Sequence, residues 1–256
     1  MSKNVLFIIC LLVTGCSSSN HYQKQIIEPV LMKKNVSEFQ SERDNIFSLL
    51  VYSLVYDDWQ SEDVPRRERR GYNIGALIVN DSYQPVYYDL NCINKTDNAT
   101  QHGEVRAITN YLEEANKYNL KGHTIYTTLE PCVMCAGMMT MTSVDRIVYG
   151  MNDVDYSKAF ERLAIDTRPI GGFAPYPRKV EAQASNAVFR KELDDAYQQF
   201  LSIEEEKILV KFLVSAKAKE IFSSAKEAFI TFEVQHQENK SIYKSALNYY
   251  NEKEEE

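Results

Sequence analysis

A Cys-x-x-Cys pair constrains the fold of this chain more than any other feature. Cys132 and Cys135 follow Pro131 at the point where a β-rich run gives way to a helix-like one. Proline suits the first turn of a helix, where its missing N–H would be unpaired anyway. At a helix start both sulfurs lie near unpaired N–H groups and the positive end of the helix dipole, which favours thiolates. Alone, the pair is compatible with catalytic zinc, with half of a structural zinc site or with a redox pair.

A second motif supplies a partner for these sulfurs. His102-Gly103-Glu104 opens another predicted helix. Two thiolates and one imidazole make three protein ligands, the number typical of a catalytic zinc site that keeps one position for water. Glu104 lies two residues from a ligand, so we expect it to act as a proton shuttle across the pocket and not to coordinate zinc. The remaining histidines are isolated in the sequence: His21, His123 and His236.

The elements around these motifs predict an α/β fold. Helical periodicity is present in residues 37–59, 104–118 and 132–141, and β-type segments are present in residues 72–79, 84–92, 123–128 and 146–150. Helices that alternate with strands after a hairpin predict a three-layer α/β/α sandwich with a mixed sheet. Beyond Gly150 the pattern is weaker. Residues 169–177 are predicted to form a Gly/Pro-rich loop, residues 185–232 two or more charged amphipathic helices, and the acidic tail a frayed, solvated end.

The first residues have the layout of an export signal. Lys3 precedes nine consecutive apolar residues, Val5 to Val13, and Gly15 precedes Cys16. The apolar run is shorter than the roughly 20 residues that span a bilayer. The stretch resembles a bacterial lipoprotein signal, which implies cleavage before Cys16, a lipid on that residue and firm membrane attachment. Ser17 then implies the outer membrane in a Gram-negative host. A buried hydrophobic strand is the alternative interpretation.

Composition limits the possible partners. The formal net charge is -7 with 44% hydrophobic residues, which predicts one principal core and argues against a dedicated nucleic-acid binder. A cluster of four arginines is interrupted by Glu68, so we interpret it as a solvated loop: Arg66, Arg67, Arg69 and Arg70. The five cysteines form no obvious disulfide framework, and Cys92 is predicted to be a small buried hydrophobe.

Two stretches together carry a family resemblance. "TLEPCVMCAGMMTMTSVDRIVYG", residues 128–150, and "QHGE", residues 101–104, resemble the cytidine deaminase superfamily, and in detail its bacterial tRNA adenosine deaminase branch. The resemblance implies a cytidine deaminase-like fold in which His102, Cys132 and Cys135 bind Zn²⁺ and Glu104 is the general acid/base. It also implies that homodimers are possible.

The resemblance extends to the expected substrate contacts. It implies that Asn91 contacts the substrate, with a turn-forming asparagine as the equal alternative. It also implies that the backbone N–H groups of Gly103 and Cys132 help to bind the base or the zinc-bound oxygen. Gly103 stands where the family usually has Ala, which would loosen the helix start. The family's basic tRNA-binding tail is not evident after Gly150, and residues 66–71 look like an insertion.

Further side chains near the motifs have simpler interpretations. Asp153 and Asp155 lie where related deaminases close the pocket, but we favour surface turn residues. Tyr156 and Phe160 could stack on a base, but we favour core packing.

These observations divide the chain into a lipoprotein signal peptide (residues 1–15), a tether (16–36), a zinc deaminase domain (37–200) and a helical C-terminal extension (201–256). We expect a zinc-dependent hydrolytic deaminase that acts on a nucleobase or nucleoside and is lipid-anchored outside the cytoplasm. One alternative is an adenosine or cytosine deaminase that acts on tRNA or other nucleic acid. The other is a catalytically silent zinc-containing surface lipoprotein that binds a partner through residues 204–250.

Overall fold

The computed structural model describes residues 36–175, 179–206 and 208–255. Five strands are present in this part of the chain: β1 Gly75–Val79, β2 Pro85–Leu90, β3 Thr124–Leu129, β4 Arg146–Met151 and β5 Glu181–Ala184. The α-helices there are α1 Glu38–Asp57, α2 Gly103–Glu114, α3 Val133–Met141, α4 Ala159–Leu163, α5 Val188–Ile203, α6 Leu209–Phe212, α7 Ala216–Ile230 and α8 Lys240–Glu254. Short 3₁₀ turns occupy Arg168–Ile170 and Gln237–Asn239. The predicted signal peptide and Cys16 lie outside the described residues.

The five strands form one mixed sheet in the order β2-β1-β3-β4-β5. β1 pairs antiparallel with β2 and β3, whereas β3, β4 and β5 run parallel. The predicted hairpin and mixed sheet are therefore confirmed. β5 was not predicted, because its sequence Glu-Ala-Gln-Ala has no β-branched or aromatic residue and only its pairing with β4 makes it a strand.

Helices cover both faces of the sheet. On one face, which we call the site face, an apolar cluster joins the sheet to α2, α3 and α4 through residues such as Ile125, Ala107 and Met139. On the opposite face, a second cluster joins the sheet to α1 and to the C-terminal helices. The three-layer sandwich is confirmed, and the predicted C-terminal extension is helical.

The burial of α1 exceeds the single apolar face that helical periodicity in residues 37–59 marks. Every residue from Ile46 to Val55 is buried, including Ser48 and Ser53. One side of α1 packs on the sheet, and α7 and α8 cover its other side. The edge-to-face contact of Tyr52 with Phe222, with ring centroids 4.9 Å apart, joins α1 to α7. The extension therefore shares a hydrophobic core with the sandwich.

The C-terminal end is ordered, so the prediction of a frayed tail is wrong for residues up to Glu254. Tyr250 Oη lies 2.7 Å from carboxylate oxygens of both Asp57 and Glu254. Lys226 Nζ lies 2.6 Å from Asp57 and 3.0 Å from Glu254. These contacts hold α8 against the end of α1. Within the described ranges, no helix combines the length and the apolar character that membrane crossing requires.

Candidate metal centre

The three predicted ligands meet where two helices begin. His102 is the N-cap residue of α2, and Cys132 is the N-cap residue of α3, which starts directly after β3. Both have extended backbone angles, and neither side chain bonds to its own helix end, so both remain able to bind a metal. Cys135 follows in the first turn of α3 and is fully buried. The prediction that these side chains come together is confirmed.

The ligand spacing fits a tetrahedral zinc ion. His102 Nδ1 lies 3.8 Å from Cys132 Sγ and 3.6 Å from Cys135 Sγ, and the two sulfurs are 3.6 Å apart. Zinc bound at about 2.3 Å from sulfur and about 2.0 Å from nitrogen separates tetrahedral ligands by about 3.5 to 3.8 Å. No other group of three or more ligating side chains is found in the described part of the chain.

The acid-base properties of the thiols suit a cation. The hydrogen bond with Cys135, and then that with His102, lowers the pKa of Cys132 to about 4 against the opposing effect of burial. The same pairing with Cys132, together with burial, raises the pKa of Cys135. The hydrogen bond with Cys132 raises the pKa of His102. A divalent metal at this position would allow both sulfurs to bind as thiolates.

Glu104 lies beside the ligands in the first turn of α2. Its side chain is buried, and Thr127 Oγ1 on β3 donates a 3.4 Å hydrogen bond to Oε1. The second oxygen, Oε2, is buried without a hydrogen-bond partner among the described residues. Burial raises the pKa of this carboxyl group. Because Oε2 is buried beside the metal site and has no other partner in the described ranges, the Glu104 carboxylate is free to accept a proton from water or to donate one to a substrate.

Asn91 has the contacts of a turn-forming residue. Its Oδ1 accepts hydrogen bonds from the backbone N–H groups of Tyr72 at 3.1 Å and Ile93 at 3.4 Å. Arg70 donates to the Asn91 carbonyl and is paired with Asp58, so this arginine does not match the predicted solvated loop. Contact between Asn91 and a substrate stays a prediction.

Gly103 allows α2 to approach the sheet closely. A Cβ atom at this position would lie 3.1 Å from the carbonyl oxygen of Asp89 and 3.2 Å from Gly75 Cα and from the Ile74 carbonyl oxygen. The glycine therefore permits tight packing of the helix start against β1 and β2, and the expected loosening is not evident. The role of its N–H toward a base stays a prediction.

Beyond β4 the structure corrects two interpretations. Asp153 is buried and accepts hydrogen bonds from the N–H groups of Asp155 and Tyr156, so it is not a surface turn residue. After the hydrogen bond with Cys132, the negative charge of Asp153 is a smaller cause of the raised pKa of His102. Tyr156 is 61% exposed and does not pack in the core, whereas Phe160 and Cys92 are buried as predicted. An Asp that follows a strand and begins a turn was the available sequence signal.

The fold and geometry define a three-ligand zinc-type centre with a buried carboxylate, placed at the edge of an α/β sandwich. Residues 61–151 match the family model described as the cytidine and deoxycytidylate deaminase zinc-binding region. This range contains His102, Glu104, Cys132 and Cys135. Over these residues the chain is therefore similar to the zinc-binding region of this family.

Similar proteins carry related descriptions. The chain is 34% identical over 80 residues to the tRNA-specific adenosine deaminase of Haemophilus influenzae, and this match covers 31% of this chain and 46% of that protein. It is 28% identical over 120 residues to the probable cytosine deaminase of Schizosaccharomyces pombe, and this match covers 44% of this chain and 72% of that protein. A solved structure from work on tRNA:A34 deaminases is 28% identical, with a TM-score of 0.35, and the match covers 46% of this chain and 88% of that one. The chain thus spans about half the length of the first relative.

Proposed function

We propose that this protein is a zinc-dependent hydrolytic deaminase that replaces an exocyclic amino group of a nucleobase or nucleoside by oxygen. The observation that carries the proposal is the juxtaposition of the His102, Cys132 and Cys135 ligand atoms, all within 4.8 Å of one another, with the buried carboxylate of Glu104. The match of residues 61–151 to the deaminase zinc-binding region supports the same activity.

The metal ligands and the Glu104 carboxylate have separate roles in the proposed reaction. Zinc held by His102 and the two cysteines would supply Lewis acidity that makes a water molecule nucleophilic near neutral pH. Glu104 would accept a proton from the attacking water and deliver it to a ring nitrogen of the substrate. It would then take the proton of the newly added hydroxyl group and pass it to the amino group, so that the C=O bond forms, the C–N bond breaks and ammonia departs. Overall, one water is consumed and one ammonia is released for each amino group replaced by oxygen.

Nucleic acid is the second candidate substrate. The Haemophilus influenzae relative is described as tRNA-specific, which favours a base within an RNA chain. The net charge of -7 disfavours it, because binding to phosphates depends on positive charge. We therefore place a free base or nucleoside first as the substrate.

We also propose that the protein forms a homodimer.

We further propose that the protein is attached to a membrane outside the cytoplasm through a lipid on Cys16. The support for this proposal is the sequence of residues 1–20 alone, in which an apolar run precedes Gly15-Cys16 and a serine-rich stretch. Incorporation of radiolabelled palmitate into the wild-type protein and its loss in Cys16→Ser would establish the anchor. Equal labelling of both proteins would contradict it.

The test of activity is ammonia release by zinc-loaded protein with Cys16 replaced by Ser. The panel contains adenine, guanine and cytosine as bases, as nucleosides and within short RNA. Glu104→Gln keeps the side-chain volume but removes the proton carrier, so we expect turnover to fall by about 10²- to 10⁴-fold with zinc content unchanged.

Glu113→Gln is the matched control, because Glu113 lies on the exposed side of the same helix. This variant should keep wild-type turnover. Activity only on RNA would favour the second candidate. A fully zinc-loaded protein that releases no ammonia from any panel member would contradict the proposal and would favour a partner-binding lipoprotein.

A further inference from the structure

The loop between β4 and α4, residues 152–158, lies at the same edge of the sheet as the metal centre. β3 and β4 are parallel, and Leu129 at the end of β3 pairs with Met151 at the end of β4. The chain that leaves β3 continues through Glu130 and Pro131 to the ligand Cys132, while the chain that leaves β4 forms this loop. The two segments therefore leave the sheet side by side.

Glu130 connects these two segments. Its side chain is buried, and its two carboxylate oxygens accept hydrogen bonds from opposite ends of the loop. Oε2 accepts from the N–H of Asp153 at 3.2 Å, and Oε1 accepts from the N–H of Lys158 at 2.8 Å. The Glu130 carboxylate, two residues before the predicted zinc ligand Cys132, is thus bonded to both ends of the loop.

The hydrogen bond to Lys158 supports an unfavourable backbone conformation. Lys158 has φ 59° and ψ 33°, in the left-handed region that non-glycine residues rarely adopt. Such a conformation persists where the surrounding structure determines it strongly. The hydrogen bond from the Lys158 N–H to Glu130 stabilises this conformation at the point where the loop enters α4.

Two further carboxylates bind the remaining part of the loop. Asp194 on α5 accepts from Asn152, at 2.8 Å from the backbone N–H and at 2.7 Å from the side-chain amide. Asp153 Oδ1 accepts from the N–H groups of Asp155 at 3.0 Å and Tyr156 at 2.9 Å. Carboxylates therefore bind five of the seven backbone N–H groups of the loop: those of Asn152, Asp153, Asp155, Tyr156 and Lys158.

The loop carries groups that a substrate could meet. Val154 and Tyr156 are 46% and 61% exposed, and carboxylates bind the N–H groups of Tyr156 and of both neighbours of Val154. A fixed loop with exposed apolar side chains next to a metal centre has the properties of a pocket wall.

We propose that Glu130 is a positioning residue, which fixes residues 152–158 as a wall at the mouth of the metal centre, limits access to the zinc ligands and sets substrate affinity. The effect on affinity rests on the proposed deaminase function. The effects on the loop and on zinc exchange do not depend on which reaction the protein catalyses.

The first test is amide hydrogen exchange of the zinc-loaded protein. In Glu130→Ala both bound N–H groups lose their acceptor, so exchange at Asp153 and Lys158 should rise by about tenfold or more. Glu130→Gln keeps the volume and one acceptor oxygen, so one of the two amides should be released. Glu161→Gln on α4 removes a nearby charge and serves as the matched control, with no change at either amide. Exchange in β1 and β3 should stay at the wild-type rate.

The second test is zinc release to a chelator. Both Glu130 variants should bind one zinc per chain but lose it about tenfold faster than the wild type and Glu161→Gln. Wild-type exchange in the loop together with wild-type zinc release would overturn the proposal. If Glu130→Ala does not fold, Glu130→Gln decides in the same way.

The third test uses a substrate identified in the ammonia assay. A misplaced wall should raise KM by about tenfold in Glu130→Gln while kcat changes by less than about threefold. An equal fall of kcat at unchanged KM would contradict a role in substrate affinity. If the wild-type protein releases ammonia from no panel member, the deaminase proposal fails, and hydrogen exchange and zinc release still decide the role of Glu130.

Discussion

On the site face of the sheet, three buried carboxylates lie near the metal ligands without a cationic partner, whereas on the opposite face the buried Asp44 is neutralised. Glu104, Glu130 and Asp153 form no salt bridge with any described residue. Asp44 accepts two hydrogen bonds, at 2.5 and 2.6 Å, from the guanidinium of Arg146. Burying an unpaired charge is unfavourable. The difference indicates that the buried carboxylates of the site face lower the stability of the fold, and that the opposite face contributes to it.

The apolar contacts show the same contrast. The opposite face contains the largest fully buried aromatic side chains, among them Phe47, Tyr126 and Phe222, and encloses α1 between the sheet and the C-terminal helices. The cluster of the site face is smaller and rich in Ala and Ile. Because buried aromatic area contributes strongly to the free energy of folding, metal binding and stability should respond to different substitutions.

The largest expected effect is on the site face. Cys135→Ser removes a ligand that lies 3.6 Å from both other ligand atoms, so we expect loss of bound zinc and of deaminase activity by more than about 10³-fold. Cys92→Ser is the control, because Cys92 is a buried cysteine outside the ligand set. Zinc stoichiometry of the purified proteins measures the effect. Full zinc occupancy in Cys135→Ser would show that the assigned ligand set is wrong.

A smaller effect, on stability, is expected from the opposite face. Phe222→Ala leaves a cavity between α7, Tyr52 and Trp59, and should lower the free energy of unfolding by about 3 to 5 kcal/mol. Phe173→Ala should change it by less than about 0.5 kcal/mol, because Phe173 is 83% exposed. Urea unfolding gives these values. If folded Phe222→Ala loses zinc affinity, the two faces are coupled and the contrast fails.

The smallest expected effect is a pH dependence. Burial, followed by the charges of Glu130 and Glu161, raises the pKa of Tyr149 on β4 to about 12. An unfolded tyrosine has a pKa of about 10, so the folded state keeps this proton longer. The resulting stabilisation is complete below pH 10 and is lost as pH rises from 10 through 12.

Tyr149→Phe cannot lose this proton and tests the assignment. Its free energy of unfolding should fall less steeply than that of the wild type between pH 10 and 11, as measured by urea unfolding at each pH. Tyr118→Phe, at a 91% exposed tyrosine, should follow the wild-type curve. Parallel curves for all three proteins would assign the alkaline instability to other groups.

Local pattern was sufficient for much of the fold and of the metal centre. β1 to β4 lie within three residues of the predicted segments, because alternating apolar residues and turn residues mark them. The ligands His102, Cys132 and Cys135 came from spacing and from the chemistry of thiolates and imidazole. Lipidation at Cys16 stays a prediction, because that residue lies outside the described part of the chain.

Long-range packing decided the rest. β5 exists through its pairing with β4, and α8 continues to Glu254 because Tyr250 and Lys226 hold it against Asp57. Residues far apart in sequence make these contacts, so no local pattern records them.

The sequence by itself determined which residues are able to bind zinc, because ligand chemistry and helix-start spacing are local properties, and it predicted Glu104 as the proton carrier. Only the tertiary structure decided that α1 is enclosed on both sides and that Glu130 spans the loop 152–158. Burial and hydrogen-bond partners depend on which segments the fold brings together, and an Asp or Glu looks the same in sequence whether it is solvated or buried.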